Sequence, residues 1–458
     1  MFVPKVEKQI GIEVYATASS GIDGVIRQSV EDFVVEEVLA DGSTARIDQP
    51  TSRQVLGSST IKNRYLLCVM VKRDWDTFQA IKMVAGQLGI SLGQIHIAGI
   101  KDAKAVTAQH IAIEGVFAED VRKVNVKDIE VRPIGYLRNK LSSYYLLGNS
   151  FGITIRAINH SKSTIEKRVA KIIEELEVVG GSPNFFGHQR FGTNRPITHL
   201  VGKALVKGNF KKAMILFLAK PSPYEHPESR QAREELQAKQ DFKQALKNFP
   251  GQLHYERLML KHLVQKPDDF IGAFRRLPTK LRMLFPQAYQ SCLFNKFLSK
   301  RITMGLPLNR AEAGDYVVNV ERSGLPMLTM YRTVSPQSSS EINSAIAAGK
   351  MRLAFPLVGL KQHMSRGVQG EIEKQILEKE NIASEDFKID AMSEVTAKGE
   401  LRTAITPLNR FSSIEIARDS TDSAKQMAGL SLMLYRGSYA TILLRELMKT
   451  RNPIKAGF

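Results

Sequence analysis

Apolar residues recur at two different periods along the first part of this chain, and each change of period marks an element. Tyr65-Leu66-Leu67-Cys68-Val69-Met70-Val71 is an unbroken apolar run of strand length and reads as a buried strand. Asp76 then stands as the cap of a helix that carries Phe78, Ile81, Val84, Ala85 and Leu88 near the ~3.6-residue helical period, and Gly89 ends it. Gln94 to Ile100 reads as a second strand. The chain turns at Lys101-Asp102-Ala103-Lys104, and Gln109-His110-Ile111-Ala112-Ile113-Glu114 alternates as a third strand. Ser163-x-x-Glu166 is a capping box, predicting a helix with Ile165, Val169, Ile172, Ile173 and Leu176 on one face, closed by Gly180-Gly181. Farther on, Ala428 to Tyr435 alternates as a strand. Ser438-Tyr439-Ala440-Thr441 then leads into a helix with Ile442, Leu443, Leu447 and Met448.

The texture changes near residue 210. From Pro221 to Phe249 the chain is polar and charged and predicts exposed helices; helical patterns continue to Leu298. After Gly305-Leu306-Pro307 it becomes rich in strands and loops, as in Asp315-Tyr316-Val317-Val318-Asn319-Val320, and a mixed polar stretch runs to Lys398. We therefore expect residues 210–402 to be inserted into a first domain made of 1–209 and 403–458, with the strand and helix after 402 completing that domain's sheet.

Composition narrows the function classes. Hydrophobic residues make up 43% of 458, enough for a sizeable core. Lys plus Arg outnumber Asp plus Glu by 65 to 46, a net +19 that favours a polyanionic partner, nucleic acid before an anionic membrane surface. Cys68 and Cys292 lie among apolar residues and suit core filling, not a disulfide framework or a Cys-rich zinc site. The nine histidines form no His-x3-His or carboxylate–histidine cluster, so no metal is expected. No phosphate-binding or dinucleotide fingerprint occurs. With no secretory pattern at the start and no run of the length a spanning helix needs, the expectation is a soluble, cytoplasmic protein, a monomer by default.

Candidate chemistry concentrates in four runs. Gly99-Ile100-Lys101-Asp102-Ala103-Lys104-Ala105-Val106-Thr107-Ala108-Gln109 sets one carboxylate between two lysines in a turn. A lone turn aspartate is usually a turn former or cap; it is also a candidate nucleophile or base, with lysines suited to an anionic substrate. Lys101 and Asp102 are neighbours that can point to opposite faces. Asn184-Phe185-Phe186-Gly187-His188-Gln189-Arg190-Phe191-Gly192 mixes aromatic faces, amides, an Arg fork and two glycines. That set stacks on bases and pairs with base edges, or packs as a core loop. Arg27-Gln28-Ser29-Val30-Glu31-Asp32-Phe33-Val34-Val35-Glu36-Glu37 reads as a short strand whose glutamates suit pairing with arginines. Gly437-Ser438-Tyr439-Ala440-Thr441 opens a helix, with Ser438 as its expected cap and Arg445 and Glu446 as expected braces.

Together, in this order, the four runs resemble the TruD family of tRNA pseudouridine synthases. The first resembles its G-x-K-D-x-x-A-x-T-x-Q motif, the second N-Y/F-F-G-x-Q-R-F-G, the third P-E-D-F-x-V-x-E with Val30 in place of proline, the fourth G-S-F/Y-A-T…L-R-E-L. Weaker matches occur at Trp75-Asp76-Thr77, Leu147–Phe151, Asn194 and Ala288–Asn295, while 310–398 matches poorly. The resemblance implies an α+β fold: a pseudouridine-synthase catalytic domain with a mixed, mostly antiparallel sheet flanked by helices, interrupted by an inserted α/β TRUD domain. It implies Asp102 as catalytic nucleophile, with Phe33, Asn184 and Tyr439 against the substrate; Lys101, able to point away from Asp102, is expected to bind substrate through a phosphate. The implied substrate is a uridine in tRNA, usually uridine 13 of the D arm, isomerised without cofactor. The contrasting expectations are a non-catalytic RNA-binding or RNA-chaperone protein, and a hydrolase that releases the base.

Overall fold

The computed structural model describes residues 2–48 and 55–458. Its larger sheet is built from β1 (Phe33–Leu39), β2 (Tyr65–Arg73), β3 (Ile95–Ile97), β4 (Val106–Glu114), β5 (Ile129–Leu137) and β6 (Leu146–Ile158), joined late in the chain by β13 (Asn409–Arg418) and β14 (Gln426–Tyr435). The strand order is β13-β14-β6-β1-β4-β2-β5, with β3 also on β4. Every pairing is antiparallel except β1 with β4, where Val34 lies opposite Val106 and Glu36 opposite Ala108. The sheet is thus mixed and mostly antiparallel, as expected.

Burial follows from strand position. β2 and β4 lie in the middle of the sheet, and from Tyr65 to Lys72 and from Val106 to Ile113 every residue is buried. The apparent alternation at 109–114 is therefore not one dry face and one wet face; covering on both sides needs near-continuous apolar sequence. Helix Thr77–Leu88 forms as its pattern predicts, with the Asp76 carboxylate accepting from the Phe78 and Gln79 amides and Gly89 closing it at φ +65°. Its buried stripe is Thr77, Ala80, Ile81, Val84 and Ala85, so Phe78 is not on it and stands 56% exposed. Helix Lys162–Val179 begins earlier than the capping box suggested. Ser161 caps it by accepting from the Thr164 amide, and Ile165, Val169, Ile172 and Leu176 are buried beneath the sheet with Ile153, Ile155 and Leu430. The second predicted strand shrinks to β3, because the chain leaves β4's edge after Ile97 to form the loop that carries Asp102.

A second sheet orders β11 (Glu400–Thr403), β10 (Met351–Leu357), β8 (Tyr316–Val320) and β9 (Pro326–Thr333). It shares a core with a helical layer whose centre is Thr279–Thr303, where Phe285, Tyr289, Phe294 and Phe297 are buried. Helix Thr198–Val206 crosses that helix so closely that a Cβ at Gly202 would lie 2.0 Å from the Phe285 carbonyl oxygen. This packing runs back through Phe185, Phe186 and Phe191, so one core spans both sides of residue 210. Short strands β7 (Ser182–Pro183) and β12 (Ile405–Thr406) pair where the chain enters and leaves this half. Cys68 and Cys292 are both buried, and burial pushes both thiols up, Cys292 to about 12. Among the described residues no helix is long and apolar enough to cross a membrane.

Candidate active site

The loop between β3 and β4 is held by its own backbone. Thr77, at the start of its helix, donates its hydroxyl to the Lys101 carbonyl at 3.2 Å and accepts from the Lys101 amide at 3.1 Å. Lys72, buried in β2, donates its ammonium to the carbonyls of Asp102 at 2.6 Å and Trp75 at 2.7 Å. Burial lowers that ammonium to about 8, against the opposing pull of the Asp102 carboxylate. The two grips fix the peptide on either side of the Asp102 side chain.

That side chain is about 24% exposed. Its Oδ1 accepts from Arg27 Nη2 at 2.9 Å and from Gln189 Nε2 at 3.0 Å; no described protein group donates to Oδ2. Arg27 arrives from before β1 with φ +58°. Its guanidinium lies 4.0 Å over the Phe33 ring and also donates to the Gly457 carbonyl at 3.2 Å. Burial lowers this guanidinium and Asp102 partly offsets the shift. Phe33 itself is buried, edge-on to Phe151 at 6.0 Å, with Arg27 between its ring and Asp102's surroundings.

Lys101 points the other way. Its ammonium is 2.6 Å from Glu37 Oε1, with both side chains 2% exposed or less, and Glu37 Oε2 takes the His110 amide at 2.9 Å and faces the His110 ring at 3.2 Å. Burial alone would raise the Glu37 carboxyl; Lys101 and His110 outweigh it and hold it low. In this arrangement the Lys101 charge is spent inside the sheet and does not face the carboxylate of its neighbour.

The run 184–191 ties the remaining candidates together. Asn184 is buried, its amide donating to the Thr403 carbonyl at 3.1 Å and hydroxyl at 3.0 Å, its oxygen accepting from Arg402 at 2.6 Å. Arg402 lies 3.9 Å over the Phe186 ring and is lowered to about 10 by burial. Tyr439 packs edge-on to Phe186 at 6.2 Å, and Gly187 backs onto its ring so tightly that an added Cβ would come within 3.1 Å. Two residues on, Gln189 reaches Asp102. Asn184, Tyr439 and Asp102 therefore stand along one short segment, while Phe33 reaches the group through Arg27. A cavity of about 660 Å³ opens beside it, lined by Asn184, Arg402, Tyr144, Arg352, Arg436 and Ser438 among others.

Behind this segment, buried Glu7 holds Arg445 at 2.8 Å and Arg445 holds Glu446 at 3.0 Å. Glu446 in turn takes the Ala16 and Thr17 amides, so Arg445 and Glu446 brace the fold. Glu31 and Glu36 pair with Arg73 and Arg46. Ser438 is not a cap: its hydroxyl meets Thr406 at 2.9 Å, and Tyr439 occupies the cap position. Sequence reasoning did not single out Arg27, Lys72, Gln189 or Arg402. Arg27 and Gln189 lie inside the quoted runs, but nothing local marks them as partners of Asp102. Among the described residues no cluster of three or more His, Cys, Asp or Glu could hold a metal.

A mixed, mostly antiparallel sheet flanked by helices, with a partly exposed carboxylate on a gripped loop beside its one parallel pair, is the arrangement of a pseudouridine synthase. The TruD family model, tRNA pseudouridine synthase D, matches residues 9–447. The chain is 38% identical over 455 residues to a "Probable tRNA pseudouridine synthase D" of Methanosarcina mazei, covering 99% of this chain and 100% of that one. It is 35% identical to the protein of that name from Thermococcus onnurineus, covering 95% and 97%. A crystal structure of a Methanosarcina mazei protein with the TruD designation superposes with a TM-score of 0.84 at 38% identity, covering 99% and 100% of the two chains. This chain belongs to the TruD family.

Proposed function

We propose that the protein isomerises a uridine of tRNA, uridine 13 of the D arm, to pseudouridine, with Asp102 as its single catalytic carboxylate and no cofactor. The observation that carries the reading is the asymmetry at Asp102. Oδ1 is anchored by Arg27 and Gln189, while Oδ2 has no described protein donor and the side chain keeps an opening to solvent. An anchored carboxylate with one oxygen unclaimed is placed to act on a nucleotide taken out of its stack.

The reaction is an internal rearrangement. The N1–C1′ bond breaks with its electron pair on the uracil, the base turns, C5 bonds to C1′, the proton on C5 departs, and N1 takes up a proton, so that the product is an isomer of the substrate. No net oxidation or added group is required, which supports a cofactor-free reading. Asp102 serves either by attacking C1′ and leaving when C5 bonds, or by taking a sugar proton; the two routes share this geometry. Arg27 and Gln189 orient the carboxylate. Asn184, Phe33 and Tyr439 are proposed to shape the nucleotide site, and the basic cleft to hold phosphates with an affinity that falls as salt rises. Lys101 supports the site from within the sheet.

The test is incubation with unmodified tRNA followed by carbodiimide mapping of pseudouridine. Asp102→Asn should bind tRNA and form no product. Full activity of that variant overturns the assignment, free uracil in the mixture would mean base release instead, and binding without turnover by the unaltered protein would mean an RNA binder.

A further inference from the structure

A second cleft, about 450 Å³, lies where helix Lys5–Gln9, the turn Arg195–Ile197 and the segment Lys220–Tyr224 meet. Its volume is that of an ordinary small-ligand site, roughly 300–1,000 Å³. Lys5 and Lys220 are among its lining residues, and no acidic residue is. Neither ammonium has a hydrogen bond or ion pair among the described contacts. Lys220 is half-buried, and burial alone lowers it. Nearby carboxylates in the chain are occupied elsewhere: Glu7, two residues from Lys5, holds Arg445, and Glu225, five residues from Lys220, takes the Ser222 amide and Arg233. Arg195 spends its fork mainly on the Phe217 carbonyl, at 2.7 Å.

The walls are different in kind. Pro196, Ile197 and Tyr224 present apolar and aromatic surface, Tyr224 being 36% exposed. His199, also on the lining, is 2% exposed and edge-on to Phe191 at 5.3 Å. Two unpaired cations beside an aromatic face and proline walls match one nucleotide, with its phosphate on the lysines and its base on Tyr224. A bare inorganic anion would leave the aromatic wall unused.

We propose that this cleft is a second nucleotide-binding subsite for the substrate RNA, separate from the Asp102 site. The proposal rests on the RNA-modifying reading above and extends it. Six residues separate Gln189, which touches Asp102, from Arg195, a span of at most about 20 Å of chain. That distance is within the reach of a single RNA.

The test uses the full chain carrying Asp102→Asn, so that binding is measured without turnover. Lys5→Gln with Lys220→Gln should weaken tRNA binding and reduce the slope of log affinity against log salt by about 0.7, the share of one single-strand phosphate. The control pair Lys123→Gln with Lys171→Gln, exposed lysines already paired with Asp120 and Glu174, should change neither. Tyr224→Ala should weaken binding about 5-fold or more, and Tyr224→Phe should restore it. Ultraviolet crosslinking of bound tRNA should give a nucleotide adduct on the peptide containing Tyr224. In the active protein the lysine pair should raise KM and leave kcat unchanged. Affinity and salt slope equal to those of the control pair overturn the subsite. So does loss of the Tyr224 adduct to excess uridine monophosphate with tRNA affinity unchanged, which would mark a mononucleotide site. Absence of pseudouridine with the unaltered protein would refute the enzyme reading, while these binding measurements judge the subsite independently.

Discussion

Replacing Arg27 separates the site's chemistry from its stability. The guanidinium is 2.9 Å from Asp102 Oδ1. Two unit charges at that distance attract by about 6 kcal/mol at an effective dielectric near 20, before desolvation is counted. A charge-assisted hydrogen bond nets about 1.5–3 kcal/mol, and the partial exposure of Asp102 favours the lower half of that range. Losing the anchor should therefore lower the single-turnover rate of pseudouridine formation roughly 10- to 100-fold. The backbone adds a second readout. At φ +58° a side chain is disfavoured and glycine is not. Arg27→Gly should thus be as slow as Arg27→Ala yet more stable by about 1 kcal/mol. Arg27→Lys cannot span both Asp102 and the Gly457 carbonyl with one ammonium and should recover only part of the rate. The assay is single turnover with enzyme in excess over tRNA, alongside urea unfolding of each variant. A folded Arg27→Gly protein reacting at the unaltered rate would refute the anchoring role.

Lys101→Ala strands the buried Glu37 charge and should destabilise the protein by about 3–5 kcal/mol; an unchanged melting temperature with a raised KM for tRNA would put Lys101 on the substrate instead. Burial lowers His188 to about 4, with Arg445 contributing, and His199 to about 3, each from 6.5. The unfolded chain then binds protons that these folded rings refuse. Stability should be complete above pH 6.5 and fall as pH drops toward 4 and 3, by about 3 kcal/mol for His188, and His188→Gln should flatten part of that slope in urea midpoints. Glu380 is held at about 2 because hydrogen bonds and charge from Lys203 and Lys296 outweigh the opposing effect of burial. Its stabilisation should persist above pH 4.5 and fade toward pH 2, and Glu380→Gln should remove that acid-side loss. Gly202→Ala drives a methyl against the Phe285 carbonyl and should cost roughly 1–3 kcal/mol by overpacking; a melting temperature equal to the parent's would show that the two helices can part freely.

The linear chain determined whatever depends on near neighbours. Period and caps located β2, helix Thr77–Leu88 and β14, and motif order carried the family and the mixed sheet. Asp102 is marked by its own run, because a turn between apolar stretches is a local property. Phe78 and Ser161 show the limit of that reasoning. Helical spacing admits several apolar stripes and several cap residues, and only the surface packed against the helix selects among them.

Tertiary structure alone decided what Asp102 touches. Arg27 is 75 residues away and Gln189 is 87 residues away. They meet it because β1 pairs in parallel with β4 and because the chain around Gly187 packs against Tyr439. The direction of Lys101 was settled the same way: Glu37 and His110 face each other across paired strands and leave one buried carboxylate oxygen for an ammonium. Period encodes which side of an element is dry. It does not encode strand register, and register is what brings an arginine, an amide and a carboxylate from three distant segments to one point.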